Sequence, residues 1–191
     1  MTTTLKCLAA TAALALAGCG DDGGPVRYSA SEPVQGSRVS IPMESVSLRE
    51  VSLPAYASEE GIAVSNGAGA ITAAPDRIWA DDPTRAVTLR LTNALADLTG
   101  RLVASEPWPF RDEPETVVEV RIEEFVAEAG GRFVAQGRYY VAHNDEARTD
   151  QARSFRITEP FDPAGGFIAI AAARTRVISA LARDIAGRGL R

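Results

Sequence analysis

The period of apolar and polar positions changes several times along the chain, and each change marks an element. From Cys7 to Gly18 every residue is small or apolar, with Lys6 before the run and Cys19-Gly-Asp-Asp-Gly-Gly after it. A membrane-spanning helix needs about 20 such residues, so a run of this length predicts an export signal instead. Residues 20–43 are rich in Gly, Ser, Pro and charge, and their apolar residues follow no sustained period, which predicts a tether with at most a short strand near Arg27. Regular alternation starts at Ser45: Val46, Leu48 and, after a slip, Val51 and Leu53 read as a strand that stops at Pro54. Residues 61–65 predict a second strand, and Asn66-Gly67 turns the chain into a small-residue strand over 68–73.

Helical spacing follows twice. Asp82-Pro83 offers a capping acid and a proline at the first helical position, Val87, Leu91, Ala94, Leu95 and Leu98 make one stripe, and Gly100 ends it. Asp162-Pro163 repeats the start, and Phe167, Ile170, Ala171, Ile178, Leu181 and Ile185 form a C-terminal stripe up to Gly187. Between them lie a short strand at 102–105 and three strands of an antiparallel meander. The first carries Val118, Val120 and Ile122 on one face, with a phase slip before Phe125 that predicts a bulge. Gly130-Gly131 turns it into a strand with Phe133, Ala135, Gly137, Tyr139 and Val141 inward, and the HNDE turn leads to the third, around 152–157. Two helices laid on one face of an antiparallel or mixed sheet give an α+β two-layer sandwich.

Composition narrows the function. The 191 residues are 46% hydrophobic and 24% charged, as expected of a folded chain of one domain. Twenty basic against 25 acidic residues, with no basic block, argue against a nucleic-acid partner. One histidine and two cysteines cannot furnish a Cys/His metal cluster, so no metal or cofactor site is expected. The segment Leu16-Ala17-Gly18-Cys19 resembles the bacterial lipobox, in which the final Cys is acylated and the peptide is cut before it. That divides the chain into a signal peptide (1–18), a lipidated tether (19–43) and one folded domain (44–191). Cleavage also removes Cys7 and Lys6, leaving 173 residues in which all 19 basic side chains are arginines. Two or three acyl chains hold a protein on its membrane stably. Gly20, where an aspartate commonly favours inner-membrane retention, points to the outer membrane.

The remaining candidate chemistry has structural explanations. His143 sits in a polar turn with no nucleophile motif around any serine, Asp81/Asp82 suit a helix cap, and Glu123/Glu124 suit a bulge. No catalytic residue is therefore expected. Arg174 interrupts the last apolar stripe and is expected to snorkel or to pair. Trp79 and Trp108 read as loop residues beside prolines, either covering the core or marking an interface.

Several of these pieces follow one another in a familiar order: the lipobox Cys19, the strand end Ser52-Leu-Pro-Ala-Tyr56, GIAVSN, then DRIWADD before the first helix, VVEVRIEEF, GGRFVAQGRYYV and a small-residue last helix. Over residues 44–187 the chain resembles the PqiC-type, or ABC-type transport auxiliary, lipoproteins, departing from them where Asp81-Asp82 replaces their usual Glu-Pro. The resemblance implies an accessory lipoprotein, not an enzyme, that faces the periplasm from the outer membrane. Its implied partners are a membrane-anchored MCE-domain protein and that protein's ABC transporter, in a lipid transport system, with self-association compatible. Tyr56, Trp79 and Arg174 are the expected partner-interface residues. The alternative is a lipoprotein that binds a lipid or envelope glycan in a groove between sheet and helices and assists outer-membrane assembly.

Overall fold

A computed structural model describes residues 24–29 and 37–191. The signal peptide and Cys19 lie outside the described residues. The strands are β1 (Val26–Tyr28), β2 (Ser45–Leu48), β3 (Gly61–Ser65), β4 (Ile71–Trp79), β5 (Leu102–Ser105), β6 (Thr116–Glu128), β7 (Arg132–His143) and β8 (Gln151–Pro160). A one-turn helix, α1 (Ala55–Ser58), precedes β3, and the two long helices are α2 (Pro83–Thr99) and α3 (Gly166–Asp184). Together they form the expected α+β arrangement, a mixed sheet with α2 and α3 packed against each other and against it.

Strand β6 organises the sheet. One edge pairs antiparallel with β7, which pairs in turn with β8, giving the expected meander. The other edge is shared: β2 runs parallel to its first residues (Val46 opposite Thr116), and β3 runs parallel to its last (Val64 opposite Ala127). From β2 the sheet continues to β5, and from β3 through β4 to β1. The expected bulge falls between Ile122 and Glu124, and it shifts the buried positions from Val118, Val120 and Ile122 to Phe125 and Ala127. Gly137 faces the bulge. A Cβ there would sit 2.1 Å from the Arg121 carbonyl oxygen, so no other residue fits without parting the strands.

Local signals explain both helices. The Asp82 carboxylate accepts the Arg85 N–H at 2.7 Å, and Gly100 closes α2 at φ 65°, donating to the Ala96 carbonyl. Its inward stripe, Val87, Leu91, Ala94, Leu95 and Leu98, is fully enclosed. At the second helix Asp162 accepts the Ala164 N–H at 2.9 Å over a short 3-10 turn, and α3 then runs to Asp184 before a wider final turn over Ile185–Gly189. By length and composition Pro163–Gly189 could cross a membrane, yet Ile170, Ala171, Val177, Ile178 and Leu181 lie in the core. It is the core helix of a sheet-packed layer, with Ile168 (74% exposed) on its outer side.

The short strand expected near Arg27 is β1, which pairs with β4. Three expectations are corrected. The tether expected up to residue 43 gives way to structure earlier: Ile41 and Met43 are buried, and the Val39 N–H donates to the Leu98 carbonyl at 2.8 Å. The strand expected to stop at 73 continues through Pro75 to Trp79, because β3 and β4 slip register between Ile62 and Gly61 and the proline falls in the slipped stretch, where it interrupts no ladder bond. His143 ends β7 and does not begin the turn.

Candidate functional site

Tyr56, Trp79 and Arg174 come from a one-turn helix, a strand end and the middle of α3, and the fold brings them together. Tyr56 is placed by Pro54, which ends the β2 segment and starts α1. Its hydroxyl accepts the Phe125 N–H at 3.1 Å, at a stretch of the β6 edge that lies beyond the last contact with the β2 segment and before the pairing with β3. A tyrosine side chain thus occupies the gap between two strands that share one edge, and a backbone donor that would be left over is satisfied.

Trp79 ends β4 and is 7% exposed. Arg174 lies over it, with Cζ at 4.2 Å from the indole centroid and 5.7 Å from the Phe125 ring. Its Nη2 donates to the Pro83 carbonyl at 3.2 Å, tying α3 to the first turn of α2. Burial lowers its pKa to about 10, partly opposed by the charge of Asp81, so the guanidinium stays protonated at neutral pH. The apolar stripe is broken there by a partly buried cation that stacks on an aromatic ring. The fold therefore brings the three expected interface residues together, with Trp79 buried and Tyr56 and Arg174 partly exposed.

The comparisons with known proteins bear on what this fold belongs to. A family model for the ABC-type transport auxiliary lipoprotein component matches residues 28–186. The chain belongs to that family. An ABC-type transport auxiliary lipoprotein is a membrane-anchored envelope protein that serves a transporter, and that much holds for this chain. Protein XCC0632 from Xanthomonas campestris, of family DUF330, shares the fold at 14% identity and a TM-score of 0.63, covering 87% of this chain and 93% of that one. A crystal structure of an uncharacterized protein is similar at 16% identity and a TM-score of 0.65, covering 79% and 97%. A PelC dodecamer from Paraburkholderia phytofirmans is more distant, at 12% identity and a TM-score of 0.44, covering 83% and 95%. No curated protein matches the sequence.

The remaining candidates have structural partners in this auxiliary lipoprotein. His143 Nδ1 shares a 2.9 Å hydrogen bond with Thr116 Oγ1, and its backbone N–H donates to Asp150. Asp81 and Asp82 shape the start of α2, and Glu124 accepts from Arg156 at 3.2 Å. Among the described residues, no group of three or more His, Cys, Asp or Glu side chains is placed to hold a metal. Between sheet and helices the buried side chains of the core pack together, and an opening remains at one end of that layer.

Two openings remain of interest. A cavity of about 100 Å³ lies between β1, the end of β4, α2 and α3, lined by Tyr28, Trp79, Asp81, Arg90, Arg174 and Thr175 among others. A wide cleft of about 720 Å³ opens at the start of β6, lined by Ser47, Glu50, Glu106, Trp108, Glu113 and Asn144 among others. There Trp108 donates its indole N–H to the Asp112 carbonyl at 2.7 Å and meets Phe110 edge-on at 5.0 Å, and Phe110 is 45% exposed. Sequence reasoning did not single out Phe110 or Arg90. A Pro-Trp-Pro-Phe run with charge on both sides was the available signal for the first.

Proposed function

We propose that this auxiliary lipoprotein is a non-catalytic docking subunit of an MCE/ABC lipid transport system, held in the outer membrane by acyl chains on Cys19 and facing the periplasm. The family match over residues 28–186 carries the reading, and the lipobox supports the anchor. The partner is an MCE-domain protein. We place its contact at the wide cleft, where half-buried Trp108 lines the wall with Glu50, Glu106 and Glu113, and exposed Phe110 packs edge-on against Trp108. Aromatic anchors supply apolar contact at an interface, and the acidic rim suits basic side chains on the partner. The test is to crosslink the full-length lipidated protein in its own membranes, purify it and identify what is attached. An MCE-domain protein with its ABC permease supports the proposal; a chain that comes out with neither overturns it.

A further inference from the structure

The cavity between α2 and α3 holds more cationic donors than the protein uses. Arg90 Nε and Nη2 are both buried and, among the described residues, both lack a hydrogen-bond partner, as does Arg174 Nε. Nε and Nη2 form one edge of the Arg90 guanidinium, the fork that binds two oxygens of one anion. Arg174 reaches the same cavity from the other helix, with Nη2 already given to Pro83 and its plane fixed over Trp79. Asp81, the one acid in the lining among the described residues, is already engaged: one oxygen accepts the Asp82 N–H at 2.9 Å and the other pairs with Arg85. Both side chains line the cavity, one from each helix, and leaving three of their charged donors desolvated and unpaired is costly.

We propose that Arg90 and Arg174 form a binding site for a phosphate-class oxyanion, either free phosphate or the phosphate of a lipid headgroup. A tetrahedral anion presents oxygens in more than one plane, so one pair can meet the Arg90 fork while a third meets Arg174 Nε. A planar carboxylate would satisfy the fork alone. The volume, about 100 Å³, takes a small anion or a headgroup and excludes acyl chains, which must stay outside. Trp79 acts as a positioning residue by holding the Arg174 guanidinium in place. The site is separate from the docking cleft and does not depend on the MCE assignment.

The test is calorimetric titration of the full-length protein in detergent with inorganic phosphate and with monomeric dihexanoyl-phosphatidylglycerol. Arg90→Gln, Arg174→Gln and the surface control Arg132→Gln are titrated alongside. Saturable binding that falls at least about tenfold in each cavity variant and is unchanged in the control is expected. If both probes show this, the site takes a free phosphate group; if only the lipid does, the headgroup is the source. Binding of neither probe, or equal binding by wild type and the cavity variants, overturns the proposal. Circular dichroism melts of each variant show whether a lost signal comes from a folded protein, and Arg174→Lys, which keeps the charge but not the fork, is expected to bind more weakly than wild type while remaining folded.

Discussion

Trp79 and Trp108 stand in similar sequence, each near a proline and an acid, yet they end in opposite surroundings. Trp79 closes a strand, is almost wholly enclosed, and has a protonated arginine stacked on its face. Trp108 lies in a loop, half-buried, beside an exposed phenylalanine and three glutamates that line an open cleft. At the first, charge is desolvated and short of partners, so its state depends on what fills the cavity. At the second, charge stays hydrated, as at Glu106, which pairs with Arg49 at 3.5 Å in solvent. Enclosure suits recognition of a small ion, and openness suits a macromolecular partner.

The sharpest way to break this contrast is truncation of the two indoles. Trp79→Ala empties a packed core position and removes the support of Arg174, with an expected loss of about 3 to 5 kcal/mol in urea unfolding. Trp108→Ala removes one hydrogen bond and partial burial, and about 1 kcal/mol is expected. Equal losses would mean that the two regions are built alike. Next in size is Arg174→Met. A buried cation with an unpaired Nε pays a desolvation cost that a hydrophobic replacement avoids, so without ligand the variant is expected to be at least as stable as wild type, by up to about 2 kcal/mol. A loss of several kcal/mol would show that the arginine is there for stability. The smallest effect belongs to the solvated network beside the cleft. Glu119 has its pKa lowered first by its hydrogen bond from Arg121, and further by the one from Arg49, while partial burial opposes them. A lowered folded-state pKa means the contribution is present above the ordinary carboxylate pKa and disappears as pH falls through the folded value. About 0.5 kcal/mol is expected, visible as a shallower acid unfolding profile in Glu119→Gln and weakened by salt.

What the sequence made legible was local. Asp82-Pro83, Gly100, Asp162-Pro163, the phase slip before Phe125 and the Gly130-Gly131 turn each act within a few residues, and each was placed correctly. Longer-range features escaped. A short strand near Arg27 was expected, but the partner of β1 on β4 lies some fifty positions away, and three residues carry no signal for that pairing. Pro75 looked like a stop because its tolerance depends on a register slip that only the neighbouring strand defines. Arg174 was visible as a break in an apolar stripe, whereas Arg90 follows the exposed Leu89 at the edge of the α2 stripe and was not singled out. Its importance comes from the helix packed beside it, which no reading of one helix could supply.

A protein partner is expected to meet this auxiliary lipoprotein at the open aromatic cleft and not at the arginine cavity or the outer face of α3. The most direct measurement places a photo-crosslinking residue at Phe110 or at Ile168 in the full-length lipidated chain, irradiates native membranes and identifies the adducts. The account predicts an adduct with an MCE-domain protein from position 110 and none from position 168. No protein adduct at 110, or the same adduct at both positions, would contradict it.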